Sequence, residues 1–298
     1  MGWLRAAVVA VCVWAIGCRA EHGAAPSAPE REGGHAAPTA SAPNALGLPS
    51  DRVAAVVNPM NLKPYSGPTG SVEGTVFVRG PDAPEVSGID VRACPAALDT
   101  YGKVFRAGPR RADGARPLAD AIVVVTGYSG YLPEKNEAER VTISANCGYP
   151  SRSIALTFGQ RLDIANDSTL PFAPYLEGGP QLTVMVAPPQ QKGEPVKLFP
   201  ARADFFPLRD QLQKFVREDV YVLRQPLHAV SDTQGHFRID GVPAGRVKIG
   251  ARLAAILDEA DKDVDVRSGN VESVELFLTY APADASTPRG PETHRRAP

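Results

Sequence analysis

The stretch VSDTQGHFRIDGVPAGRVKIGARL, residues 230–253, decides how the rest of the chain is read. Asp232-Thr233-Gln234-Gly235 is a turn, with glycine at the place where a positive φ is least costly. His236-Phe237-Arg238-Ile239 alternates polar and apolar, the period of a strand buried on one face. Gly241-Val242-Pro243-Ala244-Gly245 breaks that strand, and Val247, Ile249 and Ala251 resume the alternation.

Working outward, the 298 residues leave room for two domains. The 29 prolines and 27 glycines punctuate short apolar runs, and no long segment sustains a 3.6-residue period. Both features predict an all-β chain. A net charge of -1 argues against nucleic acid as a partner. Upstream, Val72, Gly74, Val76 and Val78 alternate with Glu73, Thr75 and Phe77. Ile122-Val123-Val124-Val125 is a continuous β-branched run, which marks a strand covered on both faces. Downstream, Val264 and Val266, a Gly269-Asn270 turn, and Val274, Leu276 and Leu278 read as a further strand pair.

The segments SVEGTVFV, PLADAIVVV and DTQGHFRIDGVPAGRVKI resemble the carboxypeptidase regulatory-like (transthyretin-like) β-sandwich. The resemblance implies a scaffold or binding module, split into residues 67–128 and 226–280 by an insert at 129–225. It also implies a shared core of Val76 and Val124 with Phe237, Val247 and Leu276. Within the insert, Val141-Thr142-Ile143 and CGYPSRSIALTFGQRLDIANDS (147–168) resemble a cupredoxin of the plastocyanin type. There a turn such as Gly159-Gln160 and a following strand precede the first copper ligand, and residues 205–223 take the place of the ligand loop and last strand. A blue-copper site needs two imidazoles and a thiolate, often with a methionine. The two loops read TLPFAPY (169–175) and LRDQLQKFV (208–216), without His, Cys or Met. The expectation is two β-sandwich domains with no cofactor and no metal, behind a disordered N-terminal tether.

The first eighteen residues, MGWLRAAVVAVCVWAIGC, carry one positive charge and an apolar run too short to span a bilayer. The ending Ala15-Ile16-Gly17-Cys18 resembles a bacterial lipobox, which implies an acylated Cys18 as the mature N-terminus; ordinary secretory cleavage is the alternative. Acyl chains would hold the protein on a membrane, and Arg19 in place of an aspartate favours the outer membrane. Residues 19–66 and 281–298 are rich in Ala, Pro, Ser, Gly and charge, the composition of a disordered tether and tail. His22, His35 and His294 belong to these ends. Cys12 leaves with the signal, so Cys94 and Cys147 remain as a pair for an oxidising compartment. A bridge between them would tie insert to sandwich; two buried free thiols are the alternative.

No G-x-S-x-G elbow, H-E-x-x-H helix or P-loop occurs. Glu218-Asp219 adjoin the apolar run Val220-Tyr221-Val222-Leu223 and read as the start of a strand, so the chain is expected not to be an enzyme. Asp261, Asp263, Asp265 and Glu272 approach calcium-loop spacing, but Val266 stands where glycine is required. Their alternation with Val264 and Val266 predicts an acidic outer strand face. His228 and His236 have no partner cluster; the first is placed at a domain junction and the second toward solvent. Phe172, Tyr175, Phe199, Phe205 and Phe206 could stack on a sugar, and most of them could equally be core. The regulatory-like sandwich is grouped with carbohydrate-binding-like folds, which makes a glycan, or another envelope protein, the implied partner, although fold alone does not establish it. A cupredoxin-type electron-transfer or metal-handling role is the alternative.

Overall fold

The computed structural model describes residues 47–133, 137–180, 183–190 and 193–282. The signal segment, Cys18, the tether as far as residue 46 and the tail from residue 283 lie outside them. The described chain opens with helix α1 (Ser50–Val57) and strand β1 (Thr69–Arg79). A 3₁₀ turn (Pro95–Ala97) runs into α2 (Leu98–Tyr101), followed by β2 (Arg116–Pro117) and β3 (Ile122–Thr126). Next come β4 (Glu139–Ile143), β5 (Ser153–Thr157), β6 (Leu162–Asn166) and β7 (Pro174–Leu176). These lead to β8 (Val196–Leu198), β9 (Phe205–Asp210) and β10 (Glu218–Leu223). The last group is β11 (His228–Val230), β12 (His236–Pro243), β13 (Gly245–Leu253), β14 (Ile256–Val266) and β15 (Val271–Thr279). No helix among the described residues is long and apolar enough to cross a membrane.

The architecture is all-β, with two pairs of sheets. In the first pair, the sheet β12-β1-β15, with β2 paired to the end of β1, packs on the sheet β11-β3-β13-β14. Strand β1 lies antiparallel to β12, from Thr69 opposite Pro243 to Thr75 opposite His236. It runs parallel to β15, from Ser71 opposite Val271 to Arg79 opposite Thr279. A parallel pair cannot be closed by a hairpin, so the chain must cross over before returning. The approach of β1 to β15 is close enough to require Gly74, where a Cβ would run into the Val274 carbonyl. The turn before β12 has a similar demand. Gly235 has φ +77°, and a Cβ on it would lie 2.6 Å from the Val76 carbonyl oxygen. Asp232 Oδ1 closes that turn by accepting the Gln234 and His236 amides at 2.8 and 2.9 Å.

Val72, Val76, Phe237, Ile239, Val247 and Leu276 share one core. Val124 does not join them. Val123 and Val125 face this core, while Val124 points the other way, packing with Ile122, Tyr221 and Leu223 at the contact with the second pair of sheets. Because both faces of β3 are covered, its apolar run has no period from which to read the inward side.

The second pair is β5-β10-β9-β7 against β4-β6-β8. Ile143, Leu156, Leu162, Ile164, Phe206 and Val220 are among its buried residues. Four further members of this core come from outside residues 129–225: Val53 on α1, Val91, and Ala97 and Tyr101 beside and on α2. The expected boundaries are corrected to that extent, because α1 and part of the link between β1 and β2 are built into the core of the second pair of sheets. The expected tether is corrected too. Val53, Val56 and Val57 recur at helical spacing in an alanine-containing run, and Val53 is fully buried. Composition averaged over 19–66 hides this two-turn amphipathic stretch. Pro64 then bridges to Tyr131.

Cys94 and Cys147 form a disulfide with a Cα–Cα distance of 6.4 Å across 53 residues. By chain-entropy reasoning a loop of that size stabilises the fold by about 4 kcal/mol. The bridge clamps the α2 segment to the start of the second pair of sheets.

Replacing Gly74 with Ala is predicted to lower stability by about 1–3 kcal/mol, because the obstacle is backbone rather than a movable side chain. Gly193→Ala, at a site with nothing within 4 Å, should stay within about 0.5 kcal/mol of the parent. Denaturant midpoints of the two variants check the comparison.

Candidate functional site

The two loops at 169–175 and 208–216, which lack His, Cys and Met, meet. Ala173 N–H donates to Asp210 Oδ2 at 2.7 Å, Gln211 N–H to the Ala173 carbonyl at 3.0 Å, and Gln213 Nε2 to the Pro171 carbonyl at 2.8 Å. Between them the Phe172 and Phe215 rings pack edge to face, 6.4 Å apart, and Phe215 also touches Tyr101. Asp210 Oδ1 accepts the Leu212 and Gln213 amides at 2.8 and 2.7 Å. Burial pushes the Asp210 carboxyl above its usual range, and these amides oppose the shift. The carboxylate thus ties both loops to backbone, and phenyl rings fill the space between them. Among the described residues, no group of three His, Cys, Asp or Glu side chains is placed to hold a metal ion.

A buried acid stands where the sequence suggests only the start of a strand. Glu218, the first residue of β10, is fully buried. Tyr101 donates its hydroxyl to Glu218 Oε1, while Glu218 Oε2 and the Tyr149 hydroxyl are buried without a hydrogen-bond partner. Burial pushes Glu218 up to about 8; the Tyr101 hydrogen bond and the charge of Arg152 oppose this, and Asp120 and Asp219 add to it. Asp219, on the opposite face of β10, rises to about 6, again through burial, against Arg209 and Arg152. Burial also raises both tyrosines well above their ordinary values, with the Glu218 charge adding to it. The pattern could have revealed Glu218: it lies in phase with the inward Val220 and Val222. Nothing local could have supplied Tyr101 and Tyr149, which the disulfide-linked segments bring in from far along the chain.

The two pairs of sheets are joined by a polar contact at Asp120. This residue is 1% exposed and has φ +68°, a conformation that Asp tolerates better than most residues. Arg106 grips both carboxylate oxygens, and Oδ1 also accepts the Ser151 hydroxyl and the Arg152 amide, each at 2.9 Å. Arg106 additionally donates to the Pro150 carbonyl at 3.2 Å. Asp120 precedes β3 and Arg152 precedes β5, so one carboxylate holds the ends of strands from both cores. Beside it, a cleft of about 360 Å³ runs between β4, β5 and β11, with Arg140, Ser151, Ser153 and His228 on its walls.

The sequence-derived candidates do not converge. Phe172 and Phe206 are fully buried, so neither can offer a ring face to a sugar, and of their two readings the core one holds. Phe205 packs edge to face on Tyr221 at 5.2 Å. Tyr175 lines a pocket of about 90 Å³ with Thr183 and Gln211. Phe199 alone of the five is exposed. His228 Nε2 lies 3.1 Å from Thr157 Oγ1 at the junction, and His236 is solvent-facing beside Asp232. Asp261 and Asp263 face Lys248 and Arg246 across the β13–β14 hairpin, whereas Glu272 pairs with Arg267.

No protein-family model matches the chain, and no curated protein matches it. Among solved structures, a reduced, a Cu(I) and an oxidised variant of amicyanin are similar to part of it. Each is 18% identical, covers 28% of this chain and 81% of the amicyanin chain, and has a TM-score of 0.24.

Glu218 generates a pH prediction. The folded chain keeps its proton up to about pH 8, whereas an unfolded glutamate releases it near 4.3. Between those values the folded state binds more protons, so Glu218's contribution falls as pH rises and levels off above about 8. Wild type should therefore lose more stability than Glu218→Gln between pH 5 and 8. The expected gap is at least about 1 kcal/mol, or about 2–4 °C in melting temperature. Melting curves of both proteins across that range check it.

Proposed function

We propose that this chain is a non-enzymatic envelope lipoprotein, held on the outer membrane by acyl chains on Cys18. Its two sandwiches act as a binding or structural body outside the cytoplasm. The observation that carries the reading is the Cys94–Cys147 bridge. Structural disulfides persist in oxidising compartments, which is where a chain with this N-terminal apolar run and following cysteine would be delivered. The clefts where the two sandwiches meet favour binding over pure scaffolding, since ligand sites concentrate at domain interfaces. A glycan is the finer possibility that the regulatory-like resemblance raises; Phe199 and Tyr175 are the rings with open surface to test for it. The electron-transfer alternative requires imidazole and thiolate donors in the two loops, and their sequence contains none.

The test is fractionation of the full chain expressed in a bacterium with a lipoprotein-processing pathway. Wild type should sediment with membranes, partition into detergent and yield an acylated N-terminal peptide. Cys18→Ala should be released or remain unprocessed. Identical fractionation and migration of the two would refute lipidation at Cys18.

A further inference from the structure

A cleft of about 150 Å³ opens on the outer face of the sheet β11-β3-β13-β14, where that sheet meets the chain leaving β10. Ile122, Val124 and Leu223 form its apolar floor. Gly250, in the middle of β13, completes it. Val247, Ile249 and Ala251 face the core, so the alternate residues Lys248, Gly250 and Arg252 face the cleft. A Cβ on Gly250 would meet only the Ala260 carbonyl oxygen, at 3.8 Å, and its φ is not positive. Neither a turn nor a close backbone approach demands glycine there, and glycine inside a strand is destabilising. What its absent side chain supplies is room.

The rim is polar. Arg224, Lys248 and Arg252 line it together with Glu259 and Asp261. Lys248 stands 3.4 Å from Asp261, which leaves that pair balanced. Arg252 is held over the Tyr221 ring at 5.3 Å, and its Nε is buried without a hydrogen-bond partner. That Nε is closed to the cleft, but the ring-held guanidinium makes no ion pair among the described residues and can offer its terminal N–H groups to an anion at little ordering expense.

We propose that this cleft binds a small anion built on a single apolar ring, a monocyclic aromatic carboxylate being the class that fits. A cavity of about this volume takes one benzene ring. The ring would rest over Gly250 between Ile122, Val124 and Leu223, with the carboxylate turned to Arg252. The proposal rests on the binding-body reading and gives it a ligand class; its failure would leave the outcome at Cys18 unaffected.

The experiment titrates the full chain, labelled at Ile, Leu and Val methyls, with benzoate, toluene and benzylamine. Benzoate should give saturable shifts at Ile122, Val124 and Leu223, with toluene and benzylamine each at least tenfold weaker. Gly250→Val suits a strand and fills the cleft, and it should weaken benzoate at least tenfold. The proposal is overturned if those methyls show no saturable shift, if benzylamine binds as tightly as benzoate, or if Gly250→Val binds benzoate like wild type. Should that variant fail to fold, the three ligands on wild type decide the matter alone.

Discussion

The pairing of β1 with β15 is the constraint on which the rest of the structure depends. The two strands run parallel in register over nine residue pairs, from Ser71–Val271 to Arg79–Thr279, so no short connection can join them. Everything between must be accommodated by the crossover, including a second complete pair of sheets. Strand β12 seals the other side of β1. The stretch with the clearest sequence signal, residues 230–253, therefore cannot fold against its own neighbours alone. Its Phe237 and Ile239 are buried by Val72 and Val76, which lie far upstream. On the outer face, the Phe77 and Phe277 rings stack at 5.3 Å between the guanidiniums of Arg111 and Arg79, which adds cation–π attraction to the same strand pair.

A second pair of sheets set within the crossover must be held without straining the first. Three local devices do this. Asp120 binds Arg106, Ser151 and Arg152 where β3 and β5 begin. Removing one partner of such a buried pair leaves an uncompensated charge and typically costs about 3–5 kcal/mol. The Cys94–Cys147 bridge fastens the link between β1 and β2 to the insert, and Ile122, Tyr221 and Leu223 give the contact an apolar centre. The same segments deliver Tyr101 and Tyr149 to Glu218. Its raised proton affinity follows from burial without a cationic partner in contact.

Alternation and turn chemistry made the all-β class and most strands of the first sandwich legible, because their signals lie within a few residues of one another. Asp232 and Gly235 announce their turn in this way, and so does the Gly269 turn before β15. The partner of a cysteine was legible from counting. What failed needed information from the other end of the chain. The regulatory-like resemblance puts Val124 in the shared core, but with both faces of β3 covered its apolar run has no period to show the inward side, and nothing near Phe172 or Phe206 in sequence separates a core ring from a surface one. Helix α1 was lost in an average over a long Ala- and Pro-rich stretch. Asp120 carries no signature at all: it is an ordinary polar residue before a strand until Arg106 and Ser151 arrive. The cleft over Gly250 is likewise invisible in sequence, where a strand glycine reads as a weakness rather than as space.

Native-state hydrogen exchange tests the central claim most directly, since β1 divides its amides and carbonyls between β12 and β15. Peptides covering Val72 to Val78, Phe237 to Val242 and Val274 to Leu278 should open with one common free energy and lose protection together as denaturant is raised. Protection of the Val72 to Val78 peptide that persists after the Val274 to Leu278 peptide has exchanged, or that follows β5 and β10 instead, would contradict it.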